Sequence, residues 1–139
     1  MSGAALPMSV PRLIDFQQIG DKQIGFISVA QNHKNIPFEV KRIYWVYGTP
    51  EDVERGNHAN YKSEHVLVSL KGSVTIFLEN TKGIKFHYVL SNPNQGLYIP
   101  AKYWRRLRMN TEVVCLSLSS TEFKEEDYIR EYKDFLKLK

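Results

Sequence analysis

The middle of the chain alternates apolar and polar residues with a period of two. His65-Val66-Leu67-Val68-Ser69-Leu70 and Ser73-Val74-Thr75-Ile76-Phe77-Leu78 flank Lys71-Gly72, and the two halves read as strands joined by a hairpin. Ile84 to Leu90 alternates again, with Ile84, Phe86, Tyr88 and Leu90 on one face. Asn92-Pro93-Asn94-Gln95-Gly96 supplies turn residues. Leu97 to Ile99 and Glu112 to Leu118 are further short strands, and Ile24 to Val29 and Val40 to Tyr47 have strand-like β-branched and aromatic content. Strands recurring every ~8–12 residues, with turns between, predict an all-β sandwich or barrel.

The period changes at the end. From Glu125 to Leu138 the apolar positions Tyr128, Ile129, Tyr132, Phe135 and Leu136 recur at three and four, which predicts an amphipathic helix. Glu122, Glu125, Glu126 and Asp127 crowd its start, and Lys133, Lys137 and Lys139 its end, as a helix dipole favours. Such a helix would pack on the outside of the β domain.

Length and composition narrow the picture. The chain has 139 residues, 42% of them hydrophobic and 24% charged, which suits one globular domain with one core. No apolar run approaches the roughly 20 residues of a membrane helix. Met1 to Pro11 lacks a basic stretch followed by an apolar one, so residues 1–12 read as an arm and 13–139 as the domain. Cys115 stands in an apolar run, where a buried inert thiol suits a reducing cytoplasm.

The net charge of +4 favours anionic partners. A nucleic-acid binder gathers its cations into a stripe. Here only Arg105, Arg106 and Arg108 cluster, within a strand-like segment, and the other cations are scattered among acids. The expectation is therefore neither nucleic acid nor a membrane surface, but an anionic small molecule.

The segment richest in chemistry runs Arg55-Gly56-Asn57-His58-Ala59-Asn60-Tyr61-Lys62-Ser63-Glu64 and reaches Gly72. Residues two apart on a strand point the same way, so His58 and Asn60 share a face, joined by Glu64 if the strand continues. The layout resembles the first motif of the cupins, with its Gly, His-x-His, Glu and Gly. Gly96-Leu97-Tyr98-Ile99-Pro100-Ala101-Lys102-Tyr103-Trp104-Arg105 resembles the second, whose metal-binding His falls on Arg105. The resemblance implies a single cupin, or jelly-roll, β-barrel carrying the C-terminal helix. Divalent metals take imidazole or carboxylate ligands. Asn60 replaces one of them and the permanently charged Arg105 another. The expectation is no metal and no cofactor, in a cavity suited to an anionic or carbonyl-bearing organic ligand.

Further stretches carry a narrower resemblance. Ile36-Pro37-Phe38-Glu39-Val40-Lys41-Arg42-Ile43-Tyr44-Trp45, Arg55 to Asn60, Gly72-Ser73, Gly96 to Ile99 and Asp127-Tyr128-Ile129-Arg130-Glu131-Tyr132 occur in order with matching gaps. Together they resemble the sugar 3,4-ketoisomerases, metal-free cupins acting on dTDP-4-keto-6-deoxyglucose. The resemblance implies an isomerase that moves the keto group from C4 to C3 by proton transfers through an enediol. Its product would feed a transaminase making 3-amino-3,6-dideoxy sugars for surface glycans such as lipopolysaccharide O-antigen.

By the same resemblance His58 and Tyr44 are catalytic. An imidazole titrates near neutrality and suits a base for the C3 hydrogen, and Tyr44 either shuttles a proton on the oxygen side or holds the sugar oxygens. Arg42 and Arg55 are expected on the diphosphate, Asn60 and Arg105 on the sugar or phosphate. Arg105 resembles members making the gluco product, whereas Ile24 departs from the aromatic or Arg expected at a second position. A homodimer with exchanged N-terminal strands is also implied. Tyr98, Tyr103 and Trp104 either stack on the base or line the barrel; His33 is expected to be exposed, and His65 and His87 to be structural. Two other readings stay open: a nucleotide-sugar epimerase, which needs an acid such as Asp52 beside His58, and a non-catalytic nucleotide-sugar binder.

Overall fold

The computed structural model describes residues 10–138. The expected arm over residues 1–12 lies largely outside them, and its last residue, Arg12, already opens a strand. The strands in chain order are β1 (Arg12–Asp15), β2 (Gln17–Asp21), β3 (Gly25–Val29), β4 (Arg42–Tyr47), β5 (Arg55–Asn60) and β6 (His65–Lys71). They continue with β7 (Val74–Glu79), β8 (Lys85–Leu90), β9 (Gln95–Ile99), β10 (Trp104–Arg108), β11 (Val114–Ser119) and β12 (Tyr128–Ile129), before a helix α1 (Tyr132–Phe135). The protein is therefore nearly all β. No helix among the described residues is long and apolar enough to cross a membrane.

The strands form two antiparallel sheets of five, in the orders β1-β9-β6-β11-β4 and β12-β5-β10-β7-β8, and a separate β2-β3 hairpin. Leu67, Leu97, Ile99 and Cys115 of the first sheet meet Val74, Ile76, Leu78, Leu90 and Leu107 of the second in one buried cluster. Each such Leu or Ile contributes about 1.5–3 kcal/mol by leaving water. The other face of the first sheet is covered too: Val66, Val68, Tyr98 and Leu118 pack under Ile14, Phe16, Ile36 and Phe38. This explains why both parities of β6 are apolar.

Two sequence expectations are corrected here. Strands β6 and β7 are real, but they are not a hairpin. β6 pairs with β9 and β11, whereas β7 pairs with β8 and β10 in the other sheet. The turn at Gly72 carries the chain across, with φ +77 and the place of a Cβ filled by Val113. Ser69 Oγ donates to the Gly72 carbonyl at 2.6 Å, fixing the turn.

The C-terminal helix is also much shorter than expected. Glu125–Asp127 is a 3-10 turn, Tyr128–Ile129 adds a strand to the edge of β5, and only Tyr132–Phe135 is α-helical. Asp127 decides this. Its carboxylate accepts from the backbone N–H groups of Lys62 and Ser63 at 2.7 and 3.3 Å, from Ser63 Oγ and from Asn60 Nδ2 at 3.1 Å. The apolar residues meant for a helix face are used otherwise: Ile129 and Phe135 pack on Ala59 and Trp104.

Candidate active site

The inward side chains of β4 are Arg42, Tyr44 and Val46, each half-buried, while Ile43, Trp45 and Tyr47 face out. Across the cavity β5 contributes His58. Gly56 and Asn57 before it have φ +88 and +56, and the β10–β5 register shifts between Arg105 and Arg106. This bulge aims the imidazole inward. A cleft of about 500 Å³ is lined by Arg42, Tyr44, Arg55, His58, Tyr128 and Arg130, among others. Beneath it, Tyr44, His58, Arg105 and Ser117 help to line a chamber of about 90 Å³.

His58 Nδ1 lies 3.2 Å from the Gly56 carbonyl, so this nitrogen carries the proton and donates. Nε2, buried and without a partner, then keeps its lone pair. Burial, and next the charge of Arg105, lower the His58 pKa to about 4, with Arg130 and Arg42 acting in the same direction. The imidazole is therefore neutral at pH 7. The Tyr128 ring sits 5.1 Å from it.

Among the described residues Arg42, Arg55 and Arg105 have no ion-pair partner. Arg42 is held by neutral groups, donating to Ser119 Oγ at 3.2 Å and Tyr128 Oη at 3.4 Å, with its guanidinium 5.4 Å over the Tyr44 ring. Arg55 is exposed at the mouth. Arg130 is tied to Glu125 at 2.6 and 3.0 Å and lies 4.3 Å over the Tyr128 ring. Arg42 and Arg55, with no acid of their own, beside a neutral imidazole suit a diphosphate next to a base, while Glu54 at the same cleft is held by Arg106 and Arg108.

The profile of the family described as FdtA, WxcM-like, C-terminal matches residues 9–139. The chain belongs to the FdtA family. It is 35% identical over 127 residues to a TDP-4-oxo-6-deoxy-alpha-D-glucose-3,4-oxoisomerase of Aneurinibacillus thermoaerophilus, covering 91% of this chain and 90% of that one. Among solved structures, a 3,4-ketoisomerase from Helicobacter canadensis matches at 37% identity with a TM-score of 0.85, covering 91% of this chain and 94% of its own. The sugar 3,4-ketoisomerase QdtA of Thermoanaerobacterium thermosaccharolyticum, solved with TDP, matches at 35% with a TM-score of 0.85 and 91% coverage of each chain.

Within this FdtA-family chain not every expected residue reaches the cleft. Asn60 shares the inward parity of His58, but it is fully buried and its amide is taken by Asp127. Glu64 lies beyond the end of β5 and accepts from the Tyr98 hydroxyl; burial, and next this contact, push the Tyr98 pKa up. Tyr98 and Tyr103 are core residues, and Trp104 packs on Phe135 and Tyr132, so none of these rings lines the cleft with His58. Asp52 is exposed at another rim. His33 is exposed, and His87 stacks on Phe77 at 5.1 Å. Cys115 is buried, and burial pushes its pKa up to about 12. No group of three His, Cys, Asp or Glu among the described residues is placed to hold a metal.

Sequence reasoning assigned no site role to Tyr128, Arg130 or His65. Tyr128 and Arg130 were hidden by the helical period of their segment. His65 gave no motif signal, yet its fully buried Nδ1 meets Arg105 Nη1 at 3.1 Å.

Proposed function

We propose that this FdtA-family protein is a dTDP-sugar 3,4-ketoisomerase converting dTDP-4-keto-6-deoxyglucose to dTDP-3-keto-6-deoxyglucose. The observation that carries the reading is a neutral His58 with a free Nε2 in a cleft of arginines that have no acid of their own at Arg42 and Arg55. QdtA, 35% identical, is solved with TDP, and a mutant of it with TDP-4-keto-6-deoxyglucose.

In the mechanism that this arrangement supports, Arg42, Arg55 and Arg130 hold the diphosphate and Arg105 the sugar. His58 Nε2 takes the C3 proton. The C3–H electron pair becomes the C3–C4 double bond, and the C4 carbonyl pair moves onto oxygen, giving an enediolate. Protonation of that oxygen gives the enediol. The C3 hydroxyl then loses its proton as C3=O forms, and C4 takes a proton from the carbon side. Tyr44 serves the two oxygens. The reaction is neutral in redox terms and needs no co-reactant.

An epimerase reading is less well served, because His58 Nδ1 bonds a backbone carbonyl instead of a carboxylate. The diagnostic experiment incubates the protein with dTDP-4-keto-6-deoxyglucose, a 3-aminotransferase, its pyridoxal phosphate and an amino donor. A 3-amino sugar, seen by mass and NMR only when this protein is present, supports the isomerase. Its absence refutes it. The same spectrum reads C4, for which Arg105 favours the gluco product.

The two sheets and their shared core support a cupin barrel. We also propose a homodimer exchanging N-terminal strands: the β2-β3 hairpin exposes Ile19, Ile24, Phe26 and Ile27, and the edge strand β4 exposes Ile43, Trp45 and Tyr47. Light scattering on the eluting protein tests it, and a monomer mass counts against it. A cytoplasmic location and a place in the making of 3-amino-3,6-dideoxy sugars for surface glycans belong to the same reading.

A further inference from the structure

His65 opens β6 at a position that is fully buried, opposite Ile99 on one side and Ser119 on the other. Its Nδ1 is 3.1 Å from Arg105 Nη1, and its Nε2 has no partner. A guanidinium has only donors, so the imidazole nitrogen is the acceptor and the ring proton sits on Nε2. His65 is neutral: burial, and next the charges of Arg105 and Arg42, hold its pKa well below the ordinary value. Protonation would remove the lone pair that Arg105 uses and set two cations in contact.

The consequence lies on the far side of the guanidinium. Arg105 is itself 2% exposed, and its Nε and Nη2 have no partner. No carboxylate forms an ion pair with it among the described residues. A buried cation with unused donors is costly unless an anion meets it. Arg105 lies opposite His58 in the ladder and lines the small chamber with Tyr44, His58 and Ser117. In the isomerisation, negative charge builds on the sugar oxygens beside the base. An arginine side chain has many rotamers, which a fixed hydrogen bond on one edge restrains. Arg105 stands on β10 and His65 on β6, in opposite sheets, so their contact ties one sheet to the other.

We propose that His65 is a positioning residue: by accepting from Arg105 it sets the guanidinium so that its remaining N–H groups meet the enediolate oxygen charge between Tyr44 and His58. This rests on the isomerase reading.

The test compares His65→Leu and His65→Phe, which lack an acceptor, with His65→Asn, whose Oδ1 stands in for Nδ1. Each is assayed on dTDP-4-keto-6-deoxyglucose, and TDP binding is measured by calorimetry. The expected result is a fall in kcat of about 10²-fold for whichever acceptor-free variant folds, as for loss of an oriented oxyanion donor. KM and TDP affinity should stay within about threefold, and His65→Asn should recover kcat to within about tenfold of wild type. A second expectation separates positioning from packing. In an Arg105→Met background, removing the His65 acceptor should lower kcat no further, because the two act as one unit. Unchanged kcat in the acceptor-free variants, equal losses in His65→Asn, or additive losses with Arg105→Met would each overturn the inference. A wild type that makes no 3-keto product sinks the isomerase reading itself, whereas an active wild type with unaffected variants sinks only the positioning role.

Discussion

Arg105 and His58 stand directly opposite one another in the β10–β5 ladder, which puts a fully buried cation beside the candidate base. The pairing sets both where the imidazole points and how it is protonated. With Nδ1 engaged by the Gly56 carbonyl and the pKa held at about 4 by burial and then Arg105, the Nε2 lone pair is available throughout the neutral range.

Activity should therefore fall only on the acid side of an ordinary histidine profile. The base must be neutral, so rate is lost as pH drops through its pKa. The acid limb of kcat/KM, which reports the free enzyme, is expected near the depressed value of about 4. The limb of kcat, which reports the complex, should lie higher. A bound diphosphate offsets Arg130 and Arg42, two of the charges that depress His58. Stopped assays across the acid range check this, and a kcat/KM limb at the ordinary imidazole value would argue against His58 as the base.

Arg42→Ala and Arg130→Ala should act on binding more than on turnover. Each removes one cation from the cleft mouth without touching His58 Nε2. Loss of a charged hydrogen bond worth about 1.5–3 kcal/mol corresponds to roughly a 10- to 100-fold rise in KM and in the TDP dissociation constant. Calorimetry with TDP and initial rates measure both. Lys137→Ala, whose partner Asp134 is exposed with it, should change neither.

Asp127→Ala should destabilise the protein more than Asn60→Ala. The first leaves the Lys62 and Ser63 N–H groups and the Asn60 amide without their acceptor, while the Ser63 hydroxyl keeps only Thr121 Oγ1. A buried polar group left unsatisfied costs about 1–3 kcal/mol. Urea denaturation compares the two. Because the released segment carries Tyr128 and Arg130, Asp127→Ala should also raise KM, and a variant of normal stability and KM would contradict this account.

Gly56→Ala should disturb the base. Gly56 has φ +88, and a Cβ there would lie 2.9 Å from the Arg105 carbonyl oxygen. The strain, of about 1–3 kcal/mol, falls on the bulge that aims His58. Both melting temperature and kcat are expected to drop, whereas Gly83→Ala, with nothing within 4 Å of the added carbon, should lower stability alone.

The strands were legible because a sheet with one buried face writes a period of two into its residues, as Phe86, Tyr88 and Leu90 of β8 do. The order of residue types around His58 was legible too, but the bulge that aims it was not, because it exists only in the β10–β5 register. Period, however, names no partner. Nothing local separates a β6-β7 hairpin from two strands sent into opposite sheets, and the packing of the Gly72 turn against Val113 decides it. Tyr128, Ile129, Tyr132 and Phe135 fit a helical face equally well, until Asp127 and the edge of β5 claim their backbone. Asn60 likewise has the parity of a site residue and the bonds of a structural one.

The sequence by itself determined the β-rich class and the family resemblance, because both are written in local pattern and residue type, and through that resemblance the candidates His58, Tyr44, Arg42, Arg55 and Arg105. Only the tertiary structure decided which of them meet, that Tyr128 and Arg130 join the cleft, and that His65 reaches Arg105. Those contacts join residues tens of positions apart, and their energy comes from burial and pairing that exist only once the sheets have closed on one another.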